Sequence, residues 1–249
     1  MSVAGAPRVR FRLLGRFEVH AGGRVVPVGG PAAQAVLVAL LGRPGQTQQV
    51  RQLIAAVWEH PDGVRDDTLY HYVGRLRKAL SPLGVQIESH WPGYRLLLAE
   101  HASIDAAWFE ELVRSAGPLR EAEPDQAVRR LRAALDLWQD EPALAGLNLP
   151  GARAAAARLD ELRLTAAEQL AELELDRGEP DQLLARLRSL AVAHLDRGRL
   201  TAALMRALHT TGRAGEALIL YQRAEQHARR QGRQPPEPVR RAQQELLTG

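Results

Sequence analysis

A motif that recurs three times in the second half of the chain limits the folds open to it. EPDQAVRRLRAAL begins at Glu123, EPDQLLARLRSL at Glu179 and RAGEALILYQRA at Arg213. With Gln126, Gln182 and Glu216 taken as equivalent, the spacings are 56 and 34 residues. The shorter is the period of a tetratricopeptide-like helix pair, and the longer is that period with an insertion of 22 residues. QDEPALAGLNLPG, which follows Trp138, is the expected site of that insertion. One such unit cannot bury its apolar face alone, so units stack and leave a concave surface suited to peptides or helices. From residue 101 onward Ala, Leu, Arg and Glu fill long helical periods, and no strand is expected there.

The first hundred residues have a different texture. Arg8, Arg10 and Arg12 alternate with Val9, Phe11 and Leu13, and Phe17 to Val19 repeats the alternation before HAGGR, which predicts half-buried strands. Pro31 suits the first turn of a helix that runs to Leu41 and stops at Gly42 and Pro44. A second helix is expected from about Gln48 to Trp58, ended by Pro61-Asp62-Gly63. A third follows Asp66-Asp67, which supply N-cap chemistry, and covers residues 68–80. Strands Val85–Ser89 and Tyr94–Leu98 enclose the turn HWPG. The predicted order is strands, three helices, a hairpin, and then an all-α region.

Charge follows the same division. Residues 1–100 carry 12 Lys and Arg against 7 Asp and Glu, whereas residues 101–249 carry 21 against 22. A basic first part on a near-neutral second is the distribution of a nucleic-acid reader with a partner or regulatory module. Cys is absent, which excludes disulfides, thiolate zinc sites and cysteine nucleophiles. The longest uncharged stretch, Val25 to Gly42, has a continuous apolar core only from Ala35 to Leu41, too short to span a bilayer. The N-terminus also lacks the apolar region of a secretory signal, so a cytoplasmic protein with no membrane contact is expected. No GxxxxGK[ST], HExxH or GxSxG motif is present, and His60, Asp62 and Asp66 fit no metal-ligand spacing. Neither enzyme activity, cofactor nor metal is expected.

The segment TLYHYVGRLRKAL, residues 68–80, is the most informative. On a helix Leu69, Tyr72, Val73, Leu76 and Leu80 share one arc and form a core face. Tyr70, His71, Gly74, Arg75, Arg77 and Lys78 occupy the opposite arc, and no acid lies between Asp67 and Glu88. Arg and Lys neutralise phosphates or bind guanine O6 and N7, Tyr70 and His71 can reach base edges or phosphate oxygens, and Gly74 admits close backbone approach.

This helix, followed by VQIESHWPGYRLLL, resembles the recognition helix and wing of the OmpR-type winged-helix domain. Together with RFRLLGRFEVHAGGRVVPVGG, DELRLTAAEQLAELELDRGEPDQLLARL and RLTAALMRALHTTGRAGEALILYQRA, the chain over about residues 8–247 resembles the Streptomyces antibiotic regulatory protein (SARP) family. The resemblance implies a mixed fold: an α+β winged helix-turn-helix DNA-binding domain over residues 1–99, then an all-α tetratricopeptide-like bacterial transcriptional activation domain over 101–249. It further implies self-association on direct repeats in double-stranded DNA beside a promoter, and recruitment of RNA polymerase to activate a secondary-metabolite gene cluster. Carried over by position, the DNA-binding residues are Tyr70, His71, Gly74, Arg75 and Arg77 in the groove, Lys78 near the backbone, and His90 at the wing tip. Two departures weaken the expected DNA contacts. His90 stands where related wings commonly present Arg, and the first helix starts without the basic residues usual in the family. They motivate an alternative, a protein-interaction or anti-activator module with weak or lost DNA binding.

Trp58, Trp108 and Trp138 lie on apolar helical stretches and are expected in the core, and Trp91 is expected to pack within the wing rather than against a sugar. Arg229, Arg230, Arg233, Arg240 and Arg241 are read as a solvated helical face.

Overall fold

A computed structural model describes residues 8–64, 66–139 and 141–248. Residues 1–7 of the expected first domain, and Asp140 in the expected insertion, lie outside the described residues. Packing divides the chain into two compact units: Met1–Glu110 with Leu137–Asp160, and Glu111–Asp136 with Glu161–Gly249.

The first unit contains β1 (Val9–Arg12), β2 (Glu18–Ala21), β3 (Arg24–Val25), α1 (Pro31–Leu41), β4 (Thr47–Gln49), α2 (Val50–Val57), α3 (Asp66–Leu80), β5 (Gln86–His90), β6 (Gly93–Leu97) and β7 (Ser103–Ile104). Helix α4 (Asp105–Ala116) begins in this unit. One sheet has the order β3-β2-β1-β7, with β1 antiparallel to β2 and parallel to β7. The period-two pattern explains it, since Val9, Phe11 and Val19 are at most 1% exposed while Arg10 faces solvent. Gly22 and Gly23, both with positive φ, make the two-residue turn that the β2–β3 hairpin requires. The second sheet, β4-β6-β5, is the wing and its support.

Helix α1 has Pro31 in its first turn, is capped at its end by the Gly42 N–H, and buries Ala33, Ala35, Val36, Leu37, Val38, Leu40 and Leu41. Such burial nearly all round makes it the central helix, against which α2 and α3 pack. Gln49 and Gln52 form a reciprocal capping box at the start of α2. A Cβ on Gly93 would fall 1.8 Å from the Gln48 carbonyl oxygen, so β4 approaches β6 to a distance only glycine permits.

Two strands depart from the expectation. β4 separates the first two helices, and β7 is a strand beyond residue 100, where none was expected. Each is two or three residues long and owes its form to a partner strand.

The insertion docks on the first unit. The N–H groups of Gln139, Leu144 and Ala145 donate to the carbonyls of Leu14, Leu13 and Gly15, at 3.2, 2.9 and 3.1 Å. Gly151 packs on Ala56, where a Cβ would sit 2.6 Å from that methyl. Trp138, 9% exposed, meets Phe109 edge-on at 5.3 Å. Trp138 thus joins the core as expected, Trp58 is half-buried, and Trp108 is 58% exposed, contrary to its core reading.

The second unit contains α5 (Leu119–Ala122), α6 (Pro124–Leu135), the latter part of α7 (Pro150–Asp176), α8 (Pro180–Ala193), α9 (Gly198–Thr210), α10 (Ala214–Arg230) and α11 (Glu237–Thr248). Helices α6, α8 and α10 start 56 and 34 residues apart, so the repeat in sequence is a repeat of helix starts. Gly178, Gly212 and Gly232 end the preceding helices in the left-handed conformation. The N–H groups of Glu179, Arg213 and Arg233 then donate five residues back, to Glu174, Leu208 and Ala228. Helix α9 is the centre of this unit: Leu200, Leu204, Met205 and Leu208 are at most 2% exposed, under α8, α10 and α11. Each such side chain contributes about 1.5–3 kcal/mol of burial.

Arginine–glutamate pairs fasten the repeats. Arg132 on α6 reaches Glu174 at 2.9 Å and Glu179 at 2.7 Å. Glu174 is fully buried, and desolvation holds its carboxyl above the usual range although Arg132 pulls it down. Glu216 accepts from Arg213 at 2.6 Å and Arg188 at 2.7 Å, which lowers its pKa to about 2. Among the described residues no helix is long and apolar enough to cross a membrane.

Candidate nucleic-acid interface

Helix α3 is amphipathic in the way its spacing predicts. Leu69, Val73, Leu76 and Leu80 are fully buried, and Tyr72 is half-buried with its ring 6.0 Å from that of Trp58. Asp66 and Asp67 in the first turn complement the positive end of the helix. On the other arc Tyr70 is 63% exposed, and His71, Gly74, Arg75 and Lys78 are exposed as well. A Cβ on Gly74 would meet nothing within 4 Å, so the position is open to a macromolecule rather than dictated by packing.

Arg77 is placed differently. Its Nε donates to the Ile87 carbonyl at 2.7 Å, Nη2 donates to Ser89 Oγ at 2.9 Å, and the guanidinium lies 5.8 Å from the centre of the Tyr94 ring. Arg77 therefore spends its donors on β5 and a cation–π contact instead of joining the exposed face. Burial raises the Tyr94 phenol above its ordinary value, and nearby Arg77 lowers it. The effect of the arrangement is to lock α3 to the wing.

The wing is the hairpin β5–β6, in which Glu88 stands opposite Arg95 and forms an ion pair at 2.7 Å. His90 pairs with Gly93 across the hairpin, and its Nδ1 is hydrogen-bonded to Thr47 Oγ1 at 2.9 Å. That register leaves Trp91 and Pro92 alone in the turn. Trp91 is 93% exposed, so the expected packing within the wing is corrected: a two-residue apex has no neighbour for an indole to cover. The structure thus brings Tyr70, His71, Gly74, Arg75 and Lys78 together on α3, places His90 and Trp91 at the hairpin apex, and turns Arg77 into the joint.

A core-sealed helix with a free cationic face, tied to a two-stranded wing, defines a winged-helix transcriptional regulator. Residues 28–96 match the model of the C-terminal domain of transcriptional regulatory proteins, and residues 104–247, over half the chain, match the bacterial transcriptional activator domain. The chain belongs to the Streptomyces antibiotic regulatory protein family of transcriptional activators. It is 37% identical over 215 residues to the regulatory protein AfsR of Streptomyces coelicolor, a match covering 86% of this chain and 21% of that protein. It is 30% identical over 230 residues to the transcriptional regulatory protein MoaR1 of Mycobacterium tuberculosis, covering 89% and 73%. The structure of Mycobacterium tuberculosis EmbR, solved with a low-affinity phosphopeptide, superposes with a TM-score of 0.81 at 29% identity, over 97% of this chain and 65% of that one. The chain spans about a fifth of the length of its AfsR relatives.

Proposed function

We propose that this cytoplasmic protein binds double-stranded DNA sequence-specifically, at direct repeats near a promoter, and recruits RNA polymerase to a secondary-metabolite gene cluster. The observation that carries DNA binding is the exposed α3 face, where Tyr70, His71, Arg75 and Lys78 surround the open position of Gly74. Arg75 presents a fork of N–H donors that matches guanine O6 and N7, while Lys78 neutralises phosphate. His90 and Trp91 at the wing apex contact the neighbouring groove. Arg77 acts as a positioning residue. Residues 101–249 contribute self-association or polymerase contact. The test is selection from random duplexes at two salt concentrations. Enrichment of two like half-sites about 10–11 base pairs apart is expected. Recovery of no motif, or of salt-sensitive binding without one, overturns sequence-specific reading.

The alternative, a protein-interaction or anti-activator module with weak or lost DNA binding, would use a surface of the second unit. A groove of about 210 Å³ opens among α8, α9 and α10, with Leu204, Leu208 and Leu220 inside it and Ile219, 52% exposed, on its wall. Such a surface serves polymerase recruitment equally well. Failure of the DNA selection combined with partner capture through this groove would decide for the alternative.

A further inference from the structure

Strand β1 carries a second cationic surface that α3 does not share. Alternation turns Val9 and Phe11 into the core and Arg8, Arg10 and Arg12 to the opposite face. Successive side chains on one face of a strand lie roughly 6.5–7 Å apart, so three guanidinium groups repel one another unless adjacent strands supply negative charge. They supply little. Opposite Arg10 stand His20 on β2 and Ser103 on β7. Glu18, opposite Arg12, already accepts a hydrogen bond from His20 at 2.8 Å and lies 3.7 Å from Arg12. Asp105, the other carboxylate near Arg12, is occupied by the N–H groups of Leu13 and Leu14. Arg8 and Arg10 have no ion-pair partner among the described residues.

The surface is concave. A cavity of about 450 Å³ opens over the arginines, with the Gly22–Gly23 turn beyond β2 and His101 and Ser103 on the β7 side. A Cβ on Gly23 would meet nothing within 4 Å, so the rim is unobstructed there. The volume lies in the roughly 300–1,000 Å³ range of small-molecule sites. A hollow flanked by two strands suits a compact anion, whereas a duplex backbone needs an open track.

We infer that this cavity binds a small phosphorylated metabolite with at least two phosphate charges, gripped by Arg8 and Arg10, with His20, His101 and Ser103 as hydrogen-bond partners. Guanidinium groups match phosphate oxygens with paired donors, so two unpaired arginines in one hollow fit a di- or triphosphate better than a single monoanion. The inference does not depend on DNA binding. Calorimetric titration of the full chain with ATP, inorganic pyrophosphate and adenosine, at about 0.15 M ionic strength, tests it. Saturable one-to-one binding of ATP is expected, with competition by pyrophosphate and none by adenosine. Arg10→Gln and Ser103→Glu, both at exposed positions, should each weaken ATP by about tenfold or more, while Arg75→Ala leaves it unchanged. Absence of saturation up to about 1 mM, equal weakening by Arg75→Ala, or displacement of ATP by duplex DNA would overturn the assignment.

Discussion

Arg77 Nε donates to the main-chain carbonyl of Ile87 across 2.7 Å, so helix α3 is tied to the first wing strand by a side chain as well as by packing. Lysine keeps the charge but lacks the fork that serves Ile87 and Ser89 together. Arg77→Lys is therefore expected to lower stability by about 1–3 kcal/mol in urea unfolding and to weaken DNA binding through misplacement of the wing. Wild-type stability and affinity in the lysine variant would remove the bracing role.

Arg75 and Lys78 should separate base reading from backbone contact. Arg75→Ala is expected to cost about 1–3 kcal/mol and to relax specificity at one base pair, and Lys78→Ala to weaken all sequences alike while reducing the salt slope by about 1. Quantitative binding to a panel of singly substituted operators provides the measurement. Identical, sequence-blind losses would show that Arg75 reads no base.

Trp91 offers a test in which folding and binding part company. At 93% exposure it contributes little packing, so Trp91→Ala should change stability by no more than about 0.5 kcal/mol. The same substitution should weaken operator binding. A variant with full affinity would take the indole out of the interface, and one with a large fall in Tm would show that it packs after all.

Gly93→Ala should be among the most damaging conservative changes in the first unit, because the added methyl collides with the Gln48 carbonyl. A loss of about 1–3 kcal/mol or more is expected, together with loss of amide protection in Thr47–Gln49, measured by hydrogen exchange. Unchanged protection would mean that β4 does not depend on this close approach.

Glu216 gives the second unit an acid-sensitive clasp. Hydrogen bonds from Arg213, then Arg188, hold its pKa at about 2, below the ordinary 4.5. A carboxylate lowered on folding stabilises above its unfolded-state value, and that contribution fades as pH falls from about 4.5 towards 2. Glu216→Gln should therefore be less stable than wild type at pH 7, and the difference should close as the pH falls to the bottom of that window. Urea midpoints measured at both ends suffice, and a gap that stays constant with pH would count against the clasp.

Local signals were legible and long-range ones were not. Pro31 and Gly42 bracket α1 because both act on their own backbone, and the spacing from Leu69 to Leu80 marks the buried side of α3 for the same reason. Arg77 escaped because a helical projection fixes where a side chain leaves the backbone, whereas a long stem can fold back to a neighbouring strand. Thr47–Gln49 has no apolar alternation and becomes a strand only by pairing with Gly93–Arg95. Trp108 sits in a helical stretch apolar enough to suggest burial, yet the side of α4 it occupies stays open.

The docking of Gln139, Leu144 and Ala145 on Leu13, Leu14 and Gly15 bears on how proteins of this design recombine. A gene fusion that transplanted only the first hundred residues would carry the main-chain carbonyls of Leu13, Leu14 and Gly15 away from their three donors. The first compact unit is thus encoded by two separated stretches of gene, and only together do they supply both the carbonyls and their donors.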